Sequence, residues 1–308
     1  MSIICTFILV GLTIFEVQQY MSHESKADLV IDMSHRDDFV NVNLDVTFPK
    51  IPCDVLSVDV EDILGTHKTD VMGDIHKKRL DKNGKYINEE TQLDKNQWRG
   101  NILERVKKEM DEGQGCRIGG FLKVYRVPGN IHVASHPYQD IVASLKSQGK
   151  KFDFTYEIHH FSLGNKKDFD YISQHFEDLE MEHPADGVKG APELEDDGTP
   201  KFMKTLFYIV AVPSYFEKGM IKYHVYQLIS NYEVTHDSKH TLGESILMFN
   251  FEFSPITENI TQNHKNLVEF LISICAIIGG VYTMAGIVDS MIHKSVSIVF
   301  KSRIGKLS

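Results

Sequence analysis

The chain has few of the residues and motifs on which common chemistries rest. It holds four cysteines in 308 residues, and none lies in a CxxC pair or in a Cys/His spacing suited to zinc. It contains no nucleophile elbow, phosphate-binding glycine loop or HExxH run, so acyl transfer, nucleotide hydrolysis and zinc-dependent hydrolysis all lack a motif. Dense basic sequence is also missing. The fullest run is Lys77-Lys78-Arg79, with Asp81 close behind, and the formal net charge is −10. A nucleic-acid surface needs a clustered basic face, so that function is excluded and the run reads as a solvated turn beside a strand. Asp59, Glu61 and Asp62 resemble a carboxylate cluster, but in an alternating strand they read as its wet face. No catalytic residue, cofactor or metal ligand is expected.

Long apolar runs are present, one at each end. Ser2–Val17 carries Glu16 as its only charge, and Leu267–Ile292 carries only Glu269 and Asp289, near its edges. A bilayer core takes about 20 mainly apolar residues per helix. The second run meets that length and the first is marginal. The expected order is a first transmembrane helix over 1–20, a large polar body over 21–262, a second transmembrane helix over 263–292 and a basic tail over 293–308. From Lys294 to Ser308 the tail holds Lys294, Lys301, Arg303 and Lys306 with no acidic residue, which places it in the cytosol and the body in the lumen. A cleaved signal peptide is the competing reading of the first run, but its start is uncharged and no small-x-small site follows. An uncleaved anchor is therefore favoured.

Within the body, Asn41–Phe48 alternates, with Val42, Leu44, Val46 and Phe48 on one face of a half-buried strand. Asn83-Gly84 marks a tight turn. Further strands are read at 116–132, broken at Pro128-Gly129-Asn130, and at 152–163, 204–212, 222–234 and 246–253. One segment differs: over 94–112, Trp98, Ile102, Val106 and Met110 recur every four residues, as on an amphipathic helix. Residues 180–200 are acidic and rich in proline and glycine, and read as a solvated loop. The fold class expected is mainly β: a luminal β-sandwich with an inserted helical segment, flanked by two transmembrane helices.

Several segments, in this order, resemble one family. LDVTFPKIPCDVLSVDVEDILG, HKKRLDKNG, GCRIGGFLKVYRVPGNIHV, FTYEIHHFSLG, FYIVAVPSYF, YQLISNYEVT and FNFEFSPITENIT leading into the second apolar run are similar to the ER vesicle/ERGIC family, membrane proteins that cycle between ER and Golgi. PCDVLSVD and KRLDKNG bring the chain nearest to the larger, basic-tailed subunit of the paired receptor. The resemblance implies export in COPII vesicles and return in COPI vesicles. It also implies assembly with a paralogous two-span subunit, and a role as receptor for luminal cargo, including escaped ER residents. Its localisation would be the ER, the intermediate compartment and the cis-Golgi, with both termini cytosolic. Three features depart from that pattern. Only Met1 stands before the first apolar run, Tyr86–Gly115 lacks the larger subunit's cysteine cluster, and Lys306 has Gly305 and Ile304 where a dilysine signal has its second lysine.

Candidate sites follow from residue type and position. Cys53 and Cys116 are the two body cysteines, and in an oxidising lumen they are expected to pair, two buried thiols being the alternative. Cys5 and Cys275 lie in the apolar runs, where a thiol acts as a small hydrophobe. Ser273, Ala276, Gly279, Gly280, Thr283 and Gly286 form a small-residue stripe for close helix contact, with the first span or with another subunit. Ile298, Val299 and Phe300 would serve as an export signal or continue the helix into the interface, and Lys306 is the remaining coat-contact candidate. His132, His136, His159 and His160 are candidates for sensing the fall in pH from ER to Golgi, because imidazole titrates near pH 6.5. Adjacent strand positions would put His159 and His160 on opposite faces, unable to share a metal. Asn259-Ile260-Thr261 is the glycosylation sequon, close to the membrane. A membrane-anchored luminal enzyme is the rival function, and an assembly subunit that only stabilises its paralogue is a third.

Overall fold

Alternation along β2 (Phe39–Phe48) organises the first sheet: Val40, Val42, Leu44, Val46 and Phe48 are buried in turn. The computed structural model describes residues 2–21, 24–32, 39–62, 67–68, 73–91, 102–175, 181–218, 221–237, 244–263 and 266–304. β7 (Gly115–Tyr125) and β9 (Tyr156–Leu163) flank β2, both antiparallel. The full order places β10 (Lys189–Gly190) outside β9, and β5 (Gly73–Leu80) then β6 (Tyr86–Thr91) outside β7. Gly84 closes the β5–β6 turn with φ +78°, and the Asp81 carboxylate accepts from the backbone N–H of Asn83 and Lys85.

The second sheet runs β1 (Glu24–Ile31), β14 (Ile256–Asn263), β11 (Phe202–Lys218), β13 (Ile246–Phe253), β8 (Gly129–Ala134), β3 (Ser57–Asp62), β4 (His67–Lys68), with β12 (Ile221–Asp237) paired on β11. The Pro128-Gly129 break thus carries the chain from one sheet to the other: β7 lies in the first and β8 in the second. The two inner faces share one core. Phe161 of β9 stacks on Phe249 of β13 at 4.5 Å, and the Tyr156 hydroxyl donates to Thr205 Oγ1 at 3.0 Å. This is a mainly β sandwich.

The helical content exceeds the single segment expected. α2 (Ile102–Asp111) buries Val106 and packs Ile102 and Met110 on the core, while 94–101, with Trp98, lie outside the described residues. α3 (Gln139–Ser147) and α4 (Lys166–His175) are additional, each only two to three turns long. Residues 181–200, within the segment read as a solvated loop, are irregular for most of their length but docked on the first sheet at one end. Ala185 is fully buried, β10 pairs with β9, and a Cβ on Gly190 would collide with the Tyr156 ring. Asp186 anchors the segment, accepting from the Phe161 backbone N–H at 2.8 Å.

Asp28–Phe216 with Lys222–Asn259 forms one compact unit, and Met1–Ala27, Glu217–Ile221 and Ile260–Ser308 form another. In the latter, α1 (Ser2–Met21) and α5 (Leu267–Ile304) are both apolar and long enough to cross a membrane. Tyr20 meets Phe270 at 4.4 Å, and a cleft lined by Cys5 and Leu9 on α1 and Tyr282 and Asp289 on α5 lies toward the other end. The pair is therefore antiparallel. α5 starts four residues later than the expected span and continues past it; at 1.5 Å per residue its 38 residues extend about 57 Å.

Candidate functional site

β3 and β8 pair antiparallel with Asp59 opposite His132, Ser57 opposite Ala134 and Glu61 opposite Asn130. Val58, Val60, Ile131 and Val133 take the core face, so the polar partners share the other. The chain leaving β8 makes a short 3-10 turn, His136–Tyr138, that leads into α3 and brings His136 over this face. Asp59, His132 and His136 then place one ligating atom each within 4.8 Å of one another. Asp59 is only 3% exposed, which corrects its reading as a wet-face residue. Its Oδ2 accepts from Ser57 Oγ at 2.6 Å and lies 3.2 Å from His136 Nε2.

Glu244, which precedes β13, faces the same cluster, with Oε1 3.8 Å from His136 Nδ1. Burial above all, and then the Asp59 charge, pushes its carboxyl up to about 7. The phenol of Tyr138 is likewise pushed up by burial, with the Asp54 and Asp59 charges adding to it. Beside Glu244 opens a cleft of ≈ 350 Å³ lined by Ile51, Phe152, Phe154 and Phe202, with Lys146 among them. The Lys146 ammonium sits 4.1 Å from the Phe202 ring centre. Burial draws its pKa down and Glu244 opposes the shift.

The other two histidines lie elsewhere, on the outer face of the first sheet. A β-bulge interrupts the β2–β9 ladder: Asp45 pairs with His160 and Val46 with Ile158, leaving His159 as the extra residue. Ile158 and Phe161 both point into the core, so His159 and His160 share the outer face rather than opposing ones. His159 Nε2 meets Thr47 Oγ1 at 2.9 Å. His160 Nδ1 meets Asp186 at 2.9 Å, Nε2 meets Ser162 Oγ at 2.9 Å, and its ring packs edge-on against His183 at 4.8 Å. Asp45 across the ladder is held by Arg117 in a two-point ion pair.

Burial, with the His160 ring next, drives the His183 pKa below its ordinary value, and Asp186 only partly offsets this. A histidine with a depressed folded pKa leaves the fold at full strength above about pH 6.5 and weakens it as pH falls through that value. His183→Gln should therefore flatten the decline in melting temperature between pH 7.4 and 5.5. Parallel melting curves for the variant and the wild type would refute this origin.

The remaining candidates are located as follows. Cys53 and Cys116 are joined in a disulfide, with Cα atoms 4.9 Å apart. Of the small-residue stripe, only Gly286 lines the cleft facing α1. A Cβ added to Gly279, Gly280 or Gly286 would meet nothing within 4 Å, so these glycines are not where α1 approaches closely. Thr283 turns inward on its own helix, donating to the Gly279 and Gly280 carbonyls, and Ala276 and Ser273 sit about two and three turns earlier on α5. Ile298, Val299 and Phe300 are helical backbone of α5, and Lys306 lies outside the described residues. Asn259 is half-buried in β14 rather than on an exposed loop. Sequence reading missed Glu244, Lys146, His183 and Asp186, each of which acquires its neighbours only through the fold.

Comparison with known proteins gives two family matches. Residues 78–289 match the endoplasmic reticulum vesicle transporter family, and residues 1–69 match the Endoplasmic Reticulum-Golgi Intermediate Compartment (ERGIC) family. The chain is 26% identical to endoplasmic reticulum-Golgi intermediate compartment protein 1 of Danio rerio, across 100% of this chain and 90% of that protein. It is 29% identical over 211 residues to protein disulfide-isomerase 5-4 of Arabidopsis thaliana, covering 67% of this chain but 42% of that one. Among solved structures it is similar to the crystal structure of Erv41p, at 18% identity and TM-score 0.49, over 76% of this chain and 99% of that one.

Proposed function

The chain belongs to the endoplasmic reticulum vesicle transporter family, and from that premise we propose that it is a receptor for luminal cargo cycling between ER and Golgi. Its relatives place it in the membranes of the ER–Golgi system and in traffic between them. The observation that carries the finer reading is the antiparallel pair of apolar helices, α1 and α5, bracketing one large β body. Two antiparallel spans return the chain to the side it left, so both termini lie in the cytosol with the basic residues after His293, and the body lies in the lumen. There it meets cargo, while the cytosolic ends meet COPII and COPI coats. A second, paralogous two-span subunit takes the small-residue face of α5 that α1 leaves uncovered.

Release or capture would follow pH through the His160, His183 and Asp186 cluster, faced by His159 and by the Asp45–Arg117 pair. The two body cysteines are bonded to each other, fully buried and outside any CxxC pair, so the isomerase-named relatives do not move the reading toward an enzyme.

The test is affinity purification of the tagged full-length protein from gently solubilised ER–Golgi membranes at pH 7.4 and at pH 6, with mass spectrometry of what is retained. Recovery of a paralogous two-span protein together with luminal proteins, differing between the two pH values, is the expected result. The paralogue alone would favour an assembly subunit. Luminal proteins retained equally at both pH values would remove the pH switch.

A further inference from the structure

We propose that Asp59, His132 and His136 form a binding site for a zinc-like divalent cation that pins the start of α3 to the β3–β8 ladder. The ligand chemistry fits: two imidazoles and one carboxylate suit zinc and its first-row neighbours better than calcium or magnesium, which take oxygen ligands. Tetrahedral ligands around zinc lie about 3.4 Å apart. His136 Nε2 and Asp59 Oδ2 are already 3.2 Å apart, and the full set lies within 4.8 Å. Small movements of His136, the partly exposed member on its short turn, bring the third distance in.

The surroundings also set the tautomer that a cation requires. Asn130 Nδ2 donates to Glu61 Oε2 at 3.2 Å, which turns Asn130 Oδ1 toward His132 Nδ1, 2.9 Å away. A carbonyl oxygen only accepts, so this contact favours the tautomer protonated on His132 Nδ1, in which Nε2 is the ligating nitrogen. A carboxamide or carboxylate behind the imidazole is the arrangement that orients metal-bound histidines. Ser57 does the same for Asp59, donating to Oδ2.

Charge points the same way. Asp59 and Glu61 face two imidazoles on the ladder and its covering turn, and beside them Glu244 Oε2 is buried without a hydrogen-bond partner among the described residues. A dication relieves that excess of negative charge, and Glu244 or water completes the fourth position.

The experiment uses full-length protein in detergent micelles, stripped with EDTA and dialysed against zinc chloride. Metal content is measured per chain, and cobalt is substituted for its visible d–d absorption. One zinc per wild-type chain and a tetrahedral cobalt spectrum are expected. Affinity should fall about 100-fold or more in His136→Ala and in the isosteric Asp59→Asn, and about 10- to 100-fold in Asn130→Ala. His159→Ala, on the other sheet, should bind as wild type does. Saturating zinc should raise the wild-type melting temperature and leave His136→Ala unmoved. Equal zinc binding by wild type, His136→Ala and Asp59→Asn would overturn the site, as would the absence of stoichiometric zinc in wild type. A variant that fails to fold is replaced by the other, since His136 is partly exposed and Asp59→Asn preserves shape.

Discussion

Replacing both Cys53 and Cys116 by alanine will lower the stability of the β body by about 4 kcal/mol, the chain-entropy value for closing a loop of 63 residues. The bond ties the turn between β2 and β3 to β7, and so spans the point where the chain passes from the first sheet to the second. Both cysteines are fully buried, so the alanine pair also leaves a small void and little else changes. For a body of this size, about 4 kcal/mol corresponds to a fall of roughly 10 °C in melting temperature. The expected result is that fall in the double variant, with the same fall in wild type treated with a strong reductant. A melting temperature unchanged within a degree or two in both would mean that the link closes no entropy-rich loop in the unfolded chain. Unequal effects would separate the covalent constraint from the void.

Much of the fold was legible because it rests on period-two burial. The alternation of Val42, Leu44, Val46 and Phe48 is the buried face of β2, and Asn83-Gly84 is the β5–β6 turn. The helices α3 and α4 were not legible: two to three turns, with Leu145 the one buried residue of α3, leave no sustained period to detect. The acidic segment read as solvated because its composition is polar, yet Asp186 docks it by capping a backbone N–H of β9. His159 and His160 were assigned opposite faces from regular alternation, and a bulge, which has no sequence signal here, put them on one. The candidate site was the least legible part. Asp59 and His132 lie far apart in sequence and meet only through the β3–β8 register, and Glu244 arrives from a third segment. Type and spacing find ligands that share one helix or loop. They do not find ligands assembled across a sheet.

Asp54→Ala is expected to cost 3–5 kcal/mol, the range of about that size seen when one partner of a buried ion pair is removed. Asp54 is fully buried in the short 3-10 turn Cys53–Val55, next to the disulfide. Its Oδ1 accepts from Arg79 Nη2 at 2.9 Å and its Oδ2 from Arg105. Arg79, on β5 opposite Cys116, bridges onward to Glu109 of α2. One carboxylate therefore holds a turn, a strand and a helix together. Without it Arg79 loses one of its two buried carboxylate contacts and retains Glu109, while Arg105, half-exposed, returns to water at small cost. The loss is dominated by desolvated charge left uncompensated, not by missing attraction. That distinction is testable: Asp54→Leu, Arg79→Met and Glu109→Leu together remove the buried charges of this one cluster and should recover most of the stability lost in Asp54→Ala. If the triple variant is as unstable as the single one, the geometry of the ion pairs holds α2 in place and apolar packing does not substitute for it. Because Asp54 adjoins Cys53, the loss in a variant lacking both the disulfide and Asp54 should differ from the sum of the two, the coupling expected of neighbours that fix one turn.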